Sequence, residues 1–207
     1  MSKTRPSIWF HLFDVVLNIV IIVGIVVAIR TFLISPFQVE GNSMLSTLEH
    51  QEYIIINKLG YHIGKPDRGD VVVFRPPNEP KKHYVKRIIG MPGDNISIRD
   101  GLVYLTPGGE GEEIELDEPY LTERSAGKTY QHPPTSGNIR EKRYTVPEGR
   151  YFLLGDNRQG SLDSRSFTSS SGGHSPYVLE KDVKGRVWFI ALPITKIHAL
   201  EIPNYGL

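Results

Sequence analysis

The sequence predicts a mainly β protein, with an antiparallel sheet or barrel-like domain behind one N-terminal transmembrane helix. Three observations support this fold class. Residues 15–29 form an apolar block without a charge. The later apolar residues fall into short runs rich in Val, Ile, Tyr and Phe, separated by Gly, Pro, Asp and Asn, which is typical of strands. Between two such runs stands Asp100-Gly101, a dipeptide that favours a two-residue hairpin turn.

Length and charge exclude several classes of protein. A chain of 207 residues allows one domain with an appendage. Its 24 Lys and Arg against 23 Asp and Glu give a net charge of +1, so we expect no nucleic-acid partner. The absence of cysteine excludes disulfides, thiolate nucleophiles and thiolate zinc sites.

The apolar block predicts a transmembrane signal-anchor helix over residues 12–34. Residues 15–34 span about 30 Å as a helix, which is the thickness of the bilayer hydrocarbon. Their one charge, Arg30, lies near an end and can snorkel to the interface. The run ends in Ile-Arg-Thr-Phe-Leu-Ile rather than in small residues, so we expect the anchor to stay uncleaved.

Charges on either side of the anchor predict its orientation. Lys3 and Arg5 precede it, whereas the residues that follow it include Glu40, Glu49 and Glu52. The positive-inside rule then places residues 1–11 in the cytoplasm and residues 35–207 outside, as an extracytoplasmic β domain.

Nine strands are predicted in this domain. They cover residues 37–40, 52–57, 70–75, 83–90, 95–99, 102–105, 143–146, 150–154 and 185–192. Two segments are predicted to lie apart from the core. Residues 106–140 are polar, with four Glu between 110 and 115, and form an excursion. Residues 166–176 are rich in Ser and Gly and form a flexible insertion.

Two side chains are candidates for nucleophilic catalysis. Ser43 lies in a stretch that begins at Gly41, seven residues past the anchor and at most about 25 Å from it. Lys86 lies on a strand whose alternation puts Tyr84 and Ile88 on the same face. Burial there would lower the lysine pKa from about 10.4 to roughly 8, at a cost of about 3 kcal/mol, and a neutral lysine is a base. A Ser-Lys pair can transfer acyl groups, although alone each residue is ordinary as a turn serine or an exposed lysine.

A Ser-His-Asp triad stays open as an alternative, because five histidines of the exported part precede His198, which is near the carboxyl end. They are His50, His62, His83, His132 and His174. The sequence contains neither a Gly-x-Ser-x-Gly elbow nor a His-Glu-x-x-His zinc motif.

Four stretches resemble the conserved boxes of bacterial type I signal peptidases, in the family's order. Residues 30–48 resemble the region that joins the anchor to the Ser-Met-x-Pro-Thr-Leu box. Residues 68–74 are similar to the next box, 84–94 to the lysine box and 155–165 to the last. Together, and behind an anchor, four boxes are far more specific than any one of them.

The resemblance implies a β catalytic domain of signal-peptidase type that acts as a serine endopeptidase and removes signal peptides from exported preproteins. It assigns Ser43 as the nucleophile and Lys86 as the general base. Ser161 would orient the lysine amine, and Asp163 and Arg165 would form a supporting ion pair. No cofactor and no metal are expected, and the partners would be preproteins and the plasma-membrane bilayer, with the chain a monomer.

The resemblance also implies how the substrate would bind. Val39 and Val85 match positions that line shallow pockets for small residues at −1 and −3, and the substrate would add as a β-strand. The Ser43 N–H would serve the oxyanion hole, because Gly41 lacks the side-chain donor that some relatives carry there.

Three departures from the family pattern stand out: Ser46 replaces the usual Pro, Gln159-Gly160 replaces an Asp-Asn pair, and residues 166–176 replace a direct aromatic-Gly turn. Two other functions stay open. One is a self-cleaving relative, like the repressor proteases of the SOS response; the other is a non-catalytic β module that displays a peptide groove.

Overall fold

The computed structural model describes residues 8–130, 141–168 and 173–205, without the side chains of 62 and 63. It begins with a helix, α1 (Ile8–Ala28), which continues as a π-helical turn over Ile29–Leu33. None of their residues is buried, and the 26-residue stretch is long and apolar enough to cross a membrane. A helix that is apolar on every side and packs against no protein is suited to lipid.

The chain after α1 is mainly β, which confirms the predicted fold class. The strands are β1 (Ile34–Gln38), β2 (Tyr53–Asn57), β3 (Val71–Phe74), β4 (Tyr84–Gly90), β5 (Asn95–Arg99), β6 (Leu102–Thr106), β7 (Ile114–Glu115), β8 (Glu141–Thr145), β9 (Arg150–Leu154), β10 (Val178–Leu179), β11 (Val183–Leu192) and β12 (His198–Ala199). A short helix, α2 (Leu59–Ile63), follows β2. All nine predicted strands are present, with ends shifted by three residues at most. The two-residue strands β7, β10 and β12 were not predicted.

The strands form two antiparallel sheets. The larger has the order β1-β2-β11-β3-β4-β9-β10, with β12 on β11, and the smaller has the order β7-β6-β5-β8. The Asp100-Gly101 hairpin joins β5 to β6 as predicted, and both residues have positive φ, 51° and 83°. At Gly101 a Cβ atom would lie 2.0 Å from the Gly127 carbonyl oxygen, so no other residue fits there.

A hydrophobic cluster anchors the connection between β1 and β2. Met44 and Leu48 are fully buried with side chains of β2, β3 and β11. The Leu48 N–H donates to the Met44 carbonyl at 2.9 Å, so the two residues are one helical turn apart and face the same side. This turn pins the segment that carries Ser43 to the sheet.

The predicted polar excursion is attached to the core over the part that the structure describes. Strand β7 pairs with β6, and Leu116 is buried in the cluster between the smaller sheet and β9. In the sequence, Ile114 and Leu116 alternate with glutamates, and so short an alternation does not stand out from the acidic run. Residues 131–140 lie outside the described residues.

The predicted insertion at 166–176 is described at its two ends. Phe167 is buried against β3 and β9, and Thr168 forms an isolated bridge with His174. Residues 169–172 lie outside the described part of the chain.

Candidate active site

Ser43 and Lys86 meet although 43 positions separate them in the sequence. The Lys86 Nζ lies 2.6 Å from the Ser43 Oγ. Strand β4 supplies the lysine from the middle of the larger sheet, where Lys86 pairs with Val72 of β3. The connection between β1 and β2 supplies the serine. A hydroxyl in hydrogen-bond contact with an amine has the geometry of a nucleophile with its base.

Burial favours the neutral form of the Lys86 amine, which can then act as a base. Lys86 is 3% exposed, and its amine also donates to the Val85 carbonyl at 2.8 Å. Burial lowers the pKa of Lys86 to about 8, an effect that the carboxylates of Asp163 and Asp156 partly oppose. An amine with such a pKa is neutral in a useful fraction near neutral pH.

Asp163 and Arg165 form a buried ion pair in the loop after β9. The Arg165 Nε donates to Asp163 Oδ1 at 2.8 Å and its second nitrogen to Oδ2 at 2.7 Å. Burial alone would raise the pKa of Asp163, but Arg165 and the Gly155 N–H outweigh it, so the pKa is lowered. The carboxylate is ionised and supplies negative charge near Lys86.

Ser161 lies in the same loop, beside Gly155 and Asp163. Its Oγ is buried and makes no hydrogen bond to Lys86 among the described residues, but it lies close enough to the Asp163 carboxylate to help lower the pKa of Asp163. A Cβ atom at Gly155 would lie 2.1 Å from this oxygen, so Ser161 packs onto the glycine backbone. The Lys86 amine contacts the Ser43 Oγ and the Val85 carbonyl, and the orienting role of Ser161 stays a prediction.

An open groove runs past the pair, and we call it the Ser43 groove. It has a volume of about 590 Å³ and is lined by residues 37–43, 82–86, Gly160 and Leu162, with Ile54 and Val73 below. Val39 and Val85 both line it, the first buried and the second half-buried. The two residues predicted to contact substrate are therefore neighbours of Ser43 along one surface.

Sequence reasoning missed a polar network behind the nucleophile segment. Arg87 contacts the Asp156 carboxylate through Nε at 3.0 Å and a terminal nitrogen at 2.7 Å. Thr47 donates to the same carboxylate, and the guanidinium carbon of Arg87 lies 3.9 Å from the ring centroid of Tyr120. Arg87 and Asp156 lie in family boxes, so their positions in the sequence could have indicated a role at the site. Tyr120 lies outside the boxes, and no sequence pattern indicated it.

Among the described residues, no histidine is hydrogen-bonded to Ser43 or Lys86. His50 accepts the Gly41 N–H, the ring of His83 packs on Phe37, and His174 lies against the Arg165 carbonyl. The side chain of His62 and all of His132 lie outside the described residues. Across the described ranges, no group of three or more His, Asp or Glu could hold a metal ion.

Comparison with known proteins gives a consistent answer. A family profile described as "Signal peptidase, peptidase S26" matches residues 12–192. A signal peptidase I of Bacillus licheniformis is 36% identical over 92% of this chain and 94% of its own. Signal peptidase I S of Bacillus subtilis is 38% identical over 72% of this chain and 75% of its own.

A solved signal peptidase I from Enterococcus faecalis is 30% identical and covers 59% of this chain and 97% of its own, with a TM-score of 0.42. The assignment rests on the sequence matches, which cover most of this chain. The chain belongs to the signal peptidase family, peptidase S26.

Proposed function

We propose that this chain, a serine endopeptidase of a family that removes signal peptides from secreted preproteins, uses Ser43 as the nucleophile and Lys86 as the general base. One observation carries the assignment: the Lys86 Nζ is 2.6 Å from the Ser43 Oγ. The lowered pKa of the buried lysine, about 8, supports it. A self-cleaving relative would use the same pair but would not need the anchor, and a non-catalytic β module would not need the pair.

The first half-reaction forms an ester on Ser43. The Oγ attacks the scissile carbonyl while its proton passes to the neutral Lys86 amine. The carbonyl oxygen becomes an oxyanion, for which the Ser43 N–H is the available donor. When the carbon–nitrogen bond breaks, the Lys86 ammonium returns the proton to the leaving amine, which is the new N-terminus of the mature protein.

The second half-reaction releases the signal peptide. A water molecule gives a proton to Lys86 and attacks the ester, and the second tetrahedral intermediate collapses as the proton moves to the Ser43 Oγ. The signal peptide leaves with a free carboxylate. Asp163 and Arg165 act at a distance, through the charge that they place near the lysine.

The Ser43 groove suits an extended substrate. Two continuous segments, 37–43 and 82–86, line it, and we infer that a bound peptide pairs with their main chain as an added strand. Val39 and Val85 leave shallow apolar hollows, which would favour small substrate residues at −1 and −3.

We also assign the chain a membrane topology. The family is membrane-anchored, and α1 is apolar and unburied. The proposal keeps residues 1–11 in the cytoplasm, 12–34 in the bilayer and 35–207 outside, with lipid as the partner of α1. The Ser43–Lys86 pair is complete within one chain, so the proposed chemistry needs no second copy, and we propose a monomer.

The decisive test is processing of a model preprotein by the full chain. Ser43→Ala and Lys86→Met are each expected to reduce the rate by about a thousandfold or more, because each removes one half of a pair that acts as a unit. Matched controls are Ser46→Ala, an exposed serine three residues away, and Lys142→Met, a lysine on β8 in the other sheet. Normal processing by Ser43→Ala would refute the assignment.

A further inference from the structure

Asn157 donates hydrogen bonds to the two carbonyls that flank the Ser43 α-carbon. The Asn42 carbonyl accepts the Asn157 side-chain amide at 2.9 Å, and the Ser43 carbonyl accepts the Asn157 N–H at 3.1 Å. The Leu45 N–H adds a longer contact to the Asn42 carbonyl, at 3.3 Å. By contrast, the Ser43 N–H donates no hydrogen bond within the described ranges.

The direction of the Ser43 N–H follows from the direction of the Asn42 carbonyl, because both belong to the same peptide group. The peptide is planar and trans, so its N–H points opposite to its carbonyl. The carbonyl of Asn42 faces Asn157, and the N–H of Ser43 therefore faces away from Asn157. Asn42 and Ser43 line the Ser43 groove, whereas Asn157 does not. The free N–H thus lies on the groove side of the peptide.

We propose that Asn157 is a positioning residue, whose side-chain amide aims the Ser43 N–H at the oxyanion that forms in the groove. The inference rests on the proposed role of Ser43 as the nucleophile. Rotation of the 42–43 peptide would break the hydrogen bond from the Asn157 amide and the longer one from the Leu45 N–H, and the shorter of the two comes from Asn157. A donor held in advance stabilises the transition state without reorganisation during the reaction.

Gly160 gives the Asn157 amide the room that this contact needs. The Gly160 N–H donates to the Asn157 carbonyl at 3.0 Å, which closes a tight turn. A Cβ atom at Gly160 would lie 2.8 Å from the Asn157 side-chain nitrogen, too close without a shift of the amide. This is one of the positions where the sequence departs from the family pattern, and it offers a second way to perturb the amide.

The test is steady-state kinetics of the full chain on a preprotein-derived peptide. Asn157→Ala and the bulkier Asn157→Leu both remove the side-chain donor and keep the backbone N–H that binds the Ser43 carbonyl. We expect kcat to fall by about 10- to 100-fold with KM within about twofold, because the oxyanion exists only in the transition state. Gly160→Ala is expected to lower kcat in the same direction. The control is Asn95→Ala, which removes an amide that donates to the Gly109 carbonyl in the smaller sheet.

A role in folding alone would give a different pattern. We expect the pH midpoint of kcat, set by Lys86, and the melting temperature to stay near the wild-type values in the Asn157 variants. A kcat within twofold of wild type, or a loss of rate that comes with a shifted pH midpoint, would overturn the inference. Failure of the proposed function is distinguishable, because Ser43→Ala would then remain active whatever the Asn157 variants do.

Discussion

Two opposing effects set the pKa of Lys86: burial lowers it, and the negative charge of Asp163 raises it. Burial lowers its pKa to about 8 while the nearby carboxylates raise it, so the value reflects a balance at one atom. We expect kcat/KM to rise about tenfold per pH unit below this value and to level off above it, because only the neutral amine accepts the serine proton. A pH series with a model peptide measures the midpoint, and a maximum near pH 5 would contradict the role of Lys86.

Lys86 is predicted to lower the free energy of unfolding of the chain at neutral pH. The folded chain loses the Lys86 proton near pH 8, whereas the unfolded chain keeps it to about pH 10.5, so stability rises with pH between these values. The shift corresponds to about 3 kcal/mol. Lys86→Met is therefore expected to be more stable than wild type at pH 7 by up to about this amount.

Urea unfolding at pH 7 and at pH 10 measures the effect. The gap between Lys86→Met and wild type should narrow as the pH rises, since the wild-type penalty disappears when both states are neutral. Lys81→Met, at an exposed lysine, serves as the control. A gap that stays constant with pH would show that the amine carries no burial penalty.

At the scale of elements, the segment 116–130 is the support on which the loop after β9 rests. Arg158 is fully buried and donates to the Glu118 carboxylate with both terminal nitrogens, at 2.6 and 2.5 Å. Its Nε donates to the Gly155 carbonyl at 3.1 Å, and Arg165 reaches the Tyr130 carbonyl at 2.6 Å. Two arginines of the loop are thus fixed by a segment outside the family boxes.

Glu118→Gln is expected to destabilise the fold by about 3 kcal/mol, because it leaves a buried guanidinium without its counter-charge. Thermal and urea unfolding of the full chain in detergent measure the loss. Glu113→Gln provides the comparison, since Glu113 pairs with Arg99 at a solvated surface and its removal should change little. Equal effects of the two substitutions would argue against the supporting role of the segment.

At the scale of the whole molecule, the sequence predicts those parts of the fold that have a long repeating pattern. The apolar block and the strands of four or more residues carry such a pattern; the two-residue strands do not, because two residues show no alternation. Within the site, Ser43 and Lys86 are each ordinary in isolation, and the family resemblance is what singles them out. The Glu118–Arg158 pair joins residues 40 positions apart, a contact that no local pattern encodes.

The proposed topology can be tested on a chain that has no cysteine of its own. Single cysteines at Lys3 and at Arg124, an exposed position in the β domain, give one reporter on each side of the anchor. With a membrane-impermeant maleimide on intact spheroplasts, we expect Arg124→Cys to be labelled and Lys3→Cys to react only after lysis, because positive flanks stay in the cytoplasm. Labelling of Lys3→Cys in intact spheroplasts, with Arg124→Cys protected, would reverse the orientation and place the Ser43 groove on the side where exported preproteins have not yet crossed.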